Sequence, residues 1–375
     1  MHANFEIKKR NTLKVFNALR KKESLSRKEI ASITSLSWGS VSAITSDLLS
    51  RGVLIVENVF SEGGRPAEKL ALNPSRFLQL GIDVNSIGLR FVVVSLGGSV
   101  IYSDFLPIVS NEKDNLLREL ENKTQEILAL YPAVCCINIS MQGKINRKTG
   151  VSLRTNFFKD WKEVPLVEFF NARFSLPTKL YHDPDCLMAY HLFTDRRLEN
   201  ASDGFVVRVD DGIGMARLIN GKIYQIGDDA SFELGHTIAV PNGKLCPCGK
   251  KGCLERYSSL RGIKDAYAEK TGKSAENFFS LLKSRDNSVE EFVQTANEHL
   301  GIALANLFTL SCPEFIMLDG LYFVQAPYAF ELIKRNTDSV LNGKSNLLLA
   351  LYKAEAPAIG ACLLTIEKIA EKVLF

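Results

Sequence analysis

One histidine and three cysteines lie close together in the segment GHTIAVPNGKLCPCGKKGC, with the spacing His236-x9-Cys246-x-Cys248-x4-Cys253. Three thiolates and one imidazole can complete a tetrahedral zinc site of the structural kind. Gly249 and Gly252 would let the backbone turn tightly between the ligands. The alternative is three unrelated thiols in one loop, but their clustering with glycines favours a metal. Because four protein ligands leave no open position, we assign the zinc a structural role.

Three acidic residues near this cluster could bind a polyhydroxy ligand. Glu233 lies in ELGH, Glu255 follows the last cysteine in CLE, and Asp183 lies in YHDPD. Ionised carboxylates accept hydrogen bonds, so they suit the hydroxyl groups of a sugar. A single carboxylate is more often a surface charge, and it is the association with the metal loop that favours a ligand site here.

The first 74 residues have the pattern of a winged helix-turn-helix. An apolar stripe predicts a helix over residues 6 to 22. Ser26 is an N-cap candidate for a helix over Arg27 to Thr34, with Glu29 completing a capping box, and Ser37 is the N-cap candidate for a helix that ends near Ser50. Gly52 ends this third helix. Strands over 53 to 60 and 68 to 72 then flank a turn at 61 to 66. This element order is typical of winged DNA-binding domains.

The third helix is the predicted recognition helix. Val41, Ile44 and Leu48 form its apolar face, which leaves a second set pointing elsewhere: Trp38, Gly39, Ser40, Ser42, Ala43 and Thr45. Its first turn should enter the major groove, Lys28 should contact phosphates, and Arg65 at the wing tip should lie in or near the minor groove. Core packing of Trp38 is an equal alternative to DNA contact.

The positive charge is concentrated in this N-terminal segment. Residues 1 to 75 hold 12 Lys and Arg against 7 Asp and Glu, whereas the remainder holds 34 against 35. A basic end on a neutral body fits attraction to DNA phosphates, although a solvated charged face would look the same. No apolar run approaches the ~20 residues of a membrane span. The start lacks an apolar signal core, so we expect a cytoplasmic protein.

From residue 75 onward the pattern changes to α/β. Strands are predicted at LQLGIDV, LRFVVVSL and SVIYSDFLP, and a second set begins near Gly204. We expect a first lobe over about 75–190 that also includes the C-terminal helix, a second lobe over about 191–355, and a cleft between them. The remaining cysteines lie in apolar surroundings and are expected to be buried reduced thiols: Cys135, Cys136, Cys186, Cys312 and Cys362.

These motifs resemble the ROK family, which comprises repressors and sugar kinases. The most specific similarity lies in ELGHT…CPCGKKGCLE, in GGRPAEKLALNP and in the helix-turn-helix segment. The last two resemble the repressor branch, of the N-acetylglucosamine and xylose type. The resemblance implies a winged helix-turn-helix followed by a two-lobed, actin-like (ribonuclease-H-like) sugar-kinase domain. It also implies operator DNA and a sugar effector as partners, and a homodimer or homotetramer.

The resemblance further implies a set of sugar-binding residues. It maps an Asn before a Trp, the Asp of an Asn-Asp pair, the Glu and His of ExGH and the Glu of CxE onto Asn156, Asp183, Glu233, His236 and Glu255. Asp183 also matches the catalytic base of the kinases. His182 replaces the Asn of the Asn-Asp pair, which changes one hydrogen-bonding partner. Metal ligation through one ring nitrogen of His236 would leave the other nitrogen for the ligand.

The nucleotide-binding segments depart from the kinase pattern. Asp83-Val84-Asn85-Ser86-Ile87 stands where the kinases have AspxGlyGlyThr, and Asp210-Asp211 replaces the first two residues of GlyThrGlyIleGly. A carboxylate about 4 Å from a phosphate charge costs roughly 4 kcal/mol at an effective dielectric of about 20. The adenosine segment is also altered, to Leu318-Asp319-Gly320-Leu321.

The sequence therefore favours a sugar-responsive repressor of carbohydrate-utilisation genes, in which Asp183 is a vestigial base used as a sugar ligand. The alternative is an active sugar kinase with a fused DNA-binding domain. A third hypothesis is a regulator that binds a sugar phosphate through Arg217, Lys222 or Lys250.

Overall fold

The N-terminal segment folds into three helices and a two-stranded hairpin. The computed structural model describes residues 2–22, 24–59, 67–272 and 277–375. The elements of this segment are α1 (His2–Lys21), α2 (Arg27–Thr34), α3 (Trp38–Ser50), β1 (Leu54–Val59) and β2 (Ala67–Leu72). The predicted order is confirmed. Arg65 and the predicted wing turn lie outside the described residues.

Local caps fix the helix boundaries here. Ser26 and Glu29 form the predicted capping box at the start of α2, and the side chain of Ser37 accepts a hydrogen bond from an amide in the first turn of α3. Gly52, with φ of 67°, ends α3 in a conformation that favours glycine. Thr45 differs from expectation, because it is fully buried and its hydroxyl accepts a hydrogen bond from Arg27 Nε at 3.1 Å.

The first lobe is a mixed five-stranded sheet with helices on it. Its strand order is β10-β6-β3-β4-β5, in which β3, β6 and β10 are parallel and β4 and β5 antiparallel. A separate three-stranded sheet, β7-β8-β9, adjoins it. The elements are β3 (Leu78–Val84), β4 (Gly88–Val94), β5 (Val100–Pro107), α4 (Lys113–Leu130), β6 (Val134–Met141), β7 (Lys144–Asn146), β8 (Val151–Arg154), β9 (Lys162–Val164), α5 (Leu166–Phe174), β10 (Thr178–His182) and α6 (Asp183–Thr194).

The second lobe repeats that strand order, as β13-β12-β11-β14-β15. Its elements are β11 (Gly204–Val209), β12 (Ile213–Ile219), β13 (Lys222–Tyr224), α7 (Glu255–Ser258), α8 (Leu260–Thr271), α9 (Phe278–Ser284), α10 (Asn287–Ser311), β14 (Phe315–Asp319), α11 (Leu321–Gln325), α12 (Ala329–Leu341) and β15 (Leu347–Leu349). Each lobe has its own apolar core. Two lobes built on the same sheet order confirm the predicted actin-like, sugar-kinase-like fold.

The last helix, α13 (Ala356–Leu374), connects all parts of the molecule. It returns to the first lobe and packs along α6, where a Cβ on Gly360 would lie 1.8 Å from the carbonyl oxygen of Cys186. Its other end completes the core of the N-terminal domain, since Ile366 and Leu374 pack in one cluster with Phe16 and Leu48. In the described ranges, no helix is long and apolar enough to cross a membrane.

Candidate functional site

The predicted metal ligands converge in space. One ligand atom from each of His236, Cys246, Cys248 and Cys253 lies within 4.8 Å of the others. The Cys248 and Cys253 sulfurs are 3.6 Å apart, and Cys246 Sγ lies 3.7 Å from His236 Nδ1. Tetrahedral zinc with Zn–S bonds near 2.3 Å requires ligand separations of about 3.8 Å. The donor set and its spacing therefore fit zinc.

Two glycines shape the metal loop as expected. Gly249 and Gly252 have φ of 92° and 82°, and a Cβ on Gly252 would lie 1.7 Å from the carbonyl oxygen of Val240. No residue with a Cβ atom fits at position 252. The loop can therefore close the four ligands around one point only with glycine at this position.

All five predicted sugar ligands line one cleft. The cleft is about 370 Å³ in volume, and Asn156, Asp183, Glu233, His236 and Glu255 all contribute to its wall. The last two approach it from the metal loop and from the first turn of α7, so the metal cluster and the cleft share a wall. Tertiary structure thus brings together residues that are 99 positions apart in the chain, from 156 to 255.

The histidine of the metal cluster faces both sites. Its Nδ1 is directed to the cysteines, whereas its Nε2 lies 3.8 Å from Glu233 Oε2. Glu233 also accepts a hydrogen bond from the Ser231 hydroxyl at 2.7 Å. Glu255 accepts one from the Ile213 amide at 3.0 Å, and burial raises its pKa. The two carboxylates are held by second partners, so their free lone pairs are directed by the protein.

A buried ion network lies beside Asp183. The guanidinium of Arg208 donates to Asp183 Oδ2 at 3.1 Å and to Asp210 Oδ2 at 2.5 Å. Burial raises the pKa of Asp183 to about 7, although Arg208 opposes the shift. Asp83 is also buried, and burial raises its pKa in turn. Burial lowers the pKa of Arg208, but these three carboxylates raise it well above the ordinary value. Arg208 is therefore the counter-ion of the whole group.

In the segment at the position of the kinases' first phosphate loop, the backbone amides donate hydrogen bonds to side chains of the protein. Asn85 Oδ1 accepts the amides of Ile87 and Gly88 at 3.0 and 3.1 Å, and Gln142 Oε1 accepts that of Ser86 at 3.3 Å. In a phosphate-binding loop such N–H groups would face the ligand. Here the side chain of Asn85 accepts two of these N–H groups in place of a phosphate.

Acidic side chains in the other two altered segments also have partners within the protein. Asp210 accepts the amide of Leu321, at the first turn of α11, as well as the guanidinium of Arg208. Asp319 Oδ2 lies 2.6 Å from His191 Nε2, and both side chains are buried. Asp211 differs from Asp210, because it lines the cleft and lies 3.8 Å from Arg261. Only one of the two adjacent carboxylates therefore faces the cleft.

The start of α3, the predicted recognition helix, is open to solvent. The side chain of Trp38 is 59% exposed, which favours surface contact over core packing. Gly39 and Ala43 are exposed, Ser40 and Ser42 are partly buried, and Lys28 on α2 is exposed. Of the predicted DNA-contacting residues, Arg65 alone is outside the described ranges.

Several site residues are absent from the sequence-based set. Arg208 interrupts the otherwise apolar strand β11, and a charge in such a strand is the signal that could have identified it. Lys144, Arg154 and Arg261 also line the cleft, with no motif to identify them. Two of the five thiol predictions differ from the structure: Cys312 is exposed, at the left-handed C-cap of α10, and Cys135 is only half-buried.

The chain resembles known regulators over nearly its whole length. It is 24% identical over 371 residues to the xylose repressor of Bacillus spizizenii, and the match covers 96% of each chain. It is 25% identical over 353 residues to the DNA-binding transcriptional repressor Mlc of Escherichia coli, covering 88% of this chain and 85% of that one.

Solved structures share the fold. A ROK family transcriptional regulator, a homolog of Escherichia coli Mlc, has a TM-score of 0.77 and 22% identity, covering 98% of this chain and 99% of its own. A ROK family glucokinase from Streptomyces griseus has a TM-score of 0.67 and 20% identity, covering 76% of this chain and 98% of its own. The ROK family model matches residues 79–368, most of the chain, and the protein therefore belongs to the ROK family.

Proposed function

We propose that this protein is a sugar-responsive, DNA-binding transcription regulator that represses carbohydrate-utilisation genes. The observation that carries the proposal is the combination of a winged helix-turn-helix with a ROK domain whose nucleotide-binding segments bond internally. The similarity to proteins named xylose repressor and Mlc supports it.

In this proposal, residues 1–74 bind operator DNA. The first turn of α3 enters the major groove, where Trp38, Ser42 and Ala43 face base edges, and Lys28 contacts phosphate. The exposure of Trp38 supports this role. The wing contact by Arg65 stays a prediction, as does assembly into a homodimer or homotetramer, which would place two such helices on one operator.

Residues 75–375 act as the sugar sensor. Asn156, Asp183, Glu233, His236 and Glu255 bind the hydroxyl groups of a monosaccharide, and the four-ligand cluster holds structural zinc. Zinc would fix the orientation of the His236 ring through Nδ1, leaving Nε2 directed to the cleft. The common wall of the cleft and the cluster supports this arrangement.

A continuous contact path links the cleft to the recognition helix. Asp183 begins α6, α6 packs along α13, and Arg51 at the end of α3 donates to the carbonyl oxygens of Val373 and Leu374. Movement of α6 on sugar binding would shift α13 and with it the DNA-binding domain. Such coupling requires the sugar to bind one arrangement more tightly than the other.

An active sugar kinase is the second candidate function. Asp183, in the position of the kinase base, lines the cleft, and the fold is shared with a glucokinase. Against it, a base without a bound phosphoryl donor transfers no phosphate, and the amides that would bind one are occupied.

The test is DNA selection with the full-length protein, followed by measurement of affinity for the selected sequence with and without a panel of sugars. We expect one sugar to change the affinity severalfold. Trp38→Ala should weaken DNA binding at least tenfold without changing the melting temperature, whereas the matched exposed change Val109→Ala should alter neither. Failure to select any sequence would refute the proposed function.

A further inference from the structure

A cationic row of three residues, Lys144, Arg154 and Lys162, lies beside the cleft, and two of them line it. Lys144 on β7 lies directly opposite Arg154 on β8, and Arg154 lies opposite Lys162 on β9. Residues directly opposite each other in antiparallel strands have their side chains on the same face. Lys144 and Arg154 both line the cleft and both are exposed.

This cationic row has no carboxylate partner in the described part of the chain. None of its three members has a carboxylate oxygen within 4 Å, in contrast to neighbouring cations such as Lys148, which lies 3.9 Å from Asp228. The one hydrogen bond found for Arg154 goes to the carbonyl oxygen of Pro247, at 3.0 Å in the metal loop. Like charges placed directly opposite each other in a sheet are destabilising, so an anion at this position would relieve their repulsion.

The wall of the cleft that Lys144 and Arg154 form is therefore basic, whereas Asp183, Glu233 and Glu255 line other parts of it. Asp183 is 4% exposed, and Arg154 lies two residues before Asn156, which also lines the cleft. From the opposite lobe Arg261 also lines the cleft, stacked 5.3 Å from the Phe157 ring. A ligand that matches both parts of the cleft has hydroxyl groups at one end and a negative charge at the other.

We propose that the effector is an anionic monosaccharide, whose phosphate or carboxylate group is bound by Lys144 and Arg154 while its hydroxyl groups bind the carboxylates. This inference rests on the proposed sensor function and specifies the class of its ligand.

The three cations that the sequence suggested for a sugar phosphate do not line the cleft. Arg217 lies 3.5 Å from Asp203, and neither it, Lys222 nor Lys250 lines the cleft.

The experiment compares matched sugars on the full-length protein by calorimetry. The pairs are glucose with glucose 6-phosphate and glucuronate, and N-acetylglucosamine with its 6-phosphate, with inorganic phosphate as the sugar-free probe. We expect one anionic sugar to bind at least tenfold more tightly than its neutral partner. Comparison of the sugar phosphates with glucuronate shows whether the site prefers a phosphate or a carboxylate group. Because the cations are exposed, the preference should weaken severalfold at high salt.

The double variant Lys144→Gln/Arg154→Gln should lose that tenfold preference and keep its melting temperature. Lys148→Gln, which removes one positive charge from the same hairpin outside the cleft, should retain the preference. Equal or tighter binding of a neutral sugar would overturn the anionic proposal and leave the proposed function intact. Binding of inorganic phosphate alone, as tightly as any sugar phosphate, would also overturn it. Binding of no sugar of either kind would refute the sensor function itself.

Discussion

At the scale of single residues, Arg208 is the buried cation that balances the negative charge of the aspartates beside the cleft. It is buried in β11 and it contacts Asp183 and Asp210 directly, with Asp83 close enough to raise its pKa. Removing one partner of a buried ion pair leaves an uncompensated charge, which costs several kcal/mol. A charge inside a strand is thus retained here because three carboxylates surround it.

The pH dependence of stability should report the pKa of Asp183. Its carboxyl has a pKa of about 7 in the folded protein, raised by burial, and about 4 when unfolded. Since the folded state holds the proton more tightly, this stabilisation is complete below pH 4 and lost as the pH rises through 7. The stability advantage of wild type over Asp183→Asn should therefore fall by roughly 1–3 kcal/mol between pH 5 and 8.

Urea unfolding of both proteins at each pH measures this difference. Arg208, Asp83, Asp210 and His182 also face Asp183, but they are present in both proteins, and their direct titration cancels to first order. A difference in free energy of unfolding that does not change with pH would contradict the raised pKa.

Zinc content should depend on the cluster and on no other thiol. We expect one zinc per chain in the wild type, and loss of stoichiometric zinc with a lower melting temperature in Cys248→Ser, because a neutral hydroxyl replaces a thiolate ligand. Cys248 is exposed, so lost core packing does not contribute. Elemental analysis is the measurement. Cys312→Ser, also an exposed thiol, is the matched control, and equal zinc loss in it would count against the cluster.

At the scale of elements, α13 is the part of the molecule that all domains share. It packs on α6 and the first-lobe sheet, and its last turns complete the core of the N-terminal domain. Arg51 supplies two N–H donors to carbonyl oxygens that α13 cannot satisfy itself, at the negative end of its dipole. The position of the N-terminal domain is therefore fixed by a helix of the ROK domain.

Replacing Arg51 with Ala should loosen this attachment by about 1–3 kcal/mol, the range for hydrogen bonds from a charged donor. Hydrogen exchange over the last turn of α13 should accelerate accordingly. Lys21→Ala is the control, since its 3.8 Å contact with Glu199 also joins the two domains but both side chains are exposed. It should cost less than about 0.5 kcal/mol. Equal exchange rates in the two variants would show that the Arg51 cap contributes nothing.

At the scale of the whole molecule, two lobes enclose a cleft, and the segments at the positions of the kinases' nucleotide-binding motifs are bonded within the protein itself. Asn85, Asp210 and Asp319 each bond to amides or side chains of the chain itself. We therefore expect the protein to bind no nucleotide. The ligand is then expected on the side of the cleft lined by the predicted sugar-binding residues.

A coupled kinase assay tests this directly. With MgATP and a panel of hexoses, pentoses and amino sugars, we expect no turnover above the protein-free blank, and no change of melting temperature with MgATP alone. A ROK glucokinase assayed in parallel serves as the positive control. Turnover near one per second, typical of a working kinase, would establish the kinase alternative.

The sequence alone determined the features whose partners are close in the chain. The capping box of Ser26 and Glu29, the N-cap Ser37 and the stop at Gly52 depend on neighbours within a few residues. The metal ligands lie within 18 positions of one another, so their spacing was sufficient to predict the cluster. Asp183, Glu233 and Glu255 were candidates because carboxylates suit sugar hydroxyls and were associated with the metal loop, whereas Asn156 was identified only through the family resemblance, since it lies 99 positions before Glu255 and carries no local signal.

Tertiary structure decided the features whose partners are distant. Arg51 meets Val373 and Leu374 across more than 320 positions, and Arg208 meets Asp183 across 25. The burial of Thr45 and the exposure of Cys312 likewise depend on what packs against each site, which residue type does not reveal. Long-range contacts of this kind are fixed by the packing of whole elements, and no short segment of sequence encodes them.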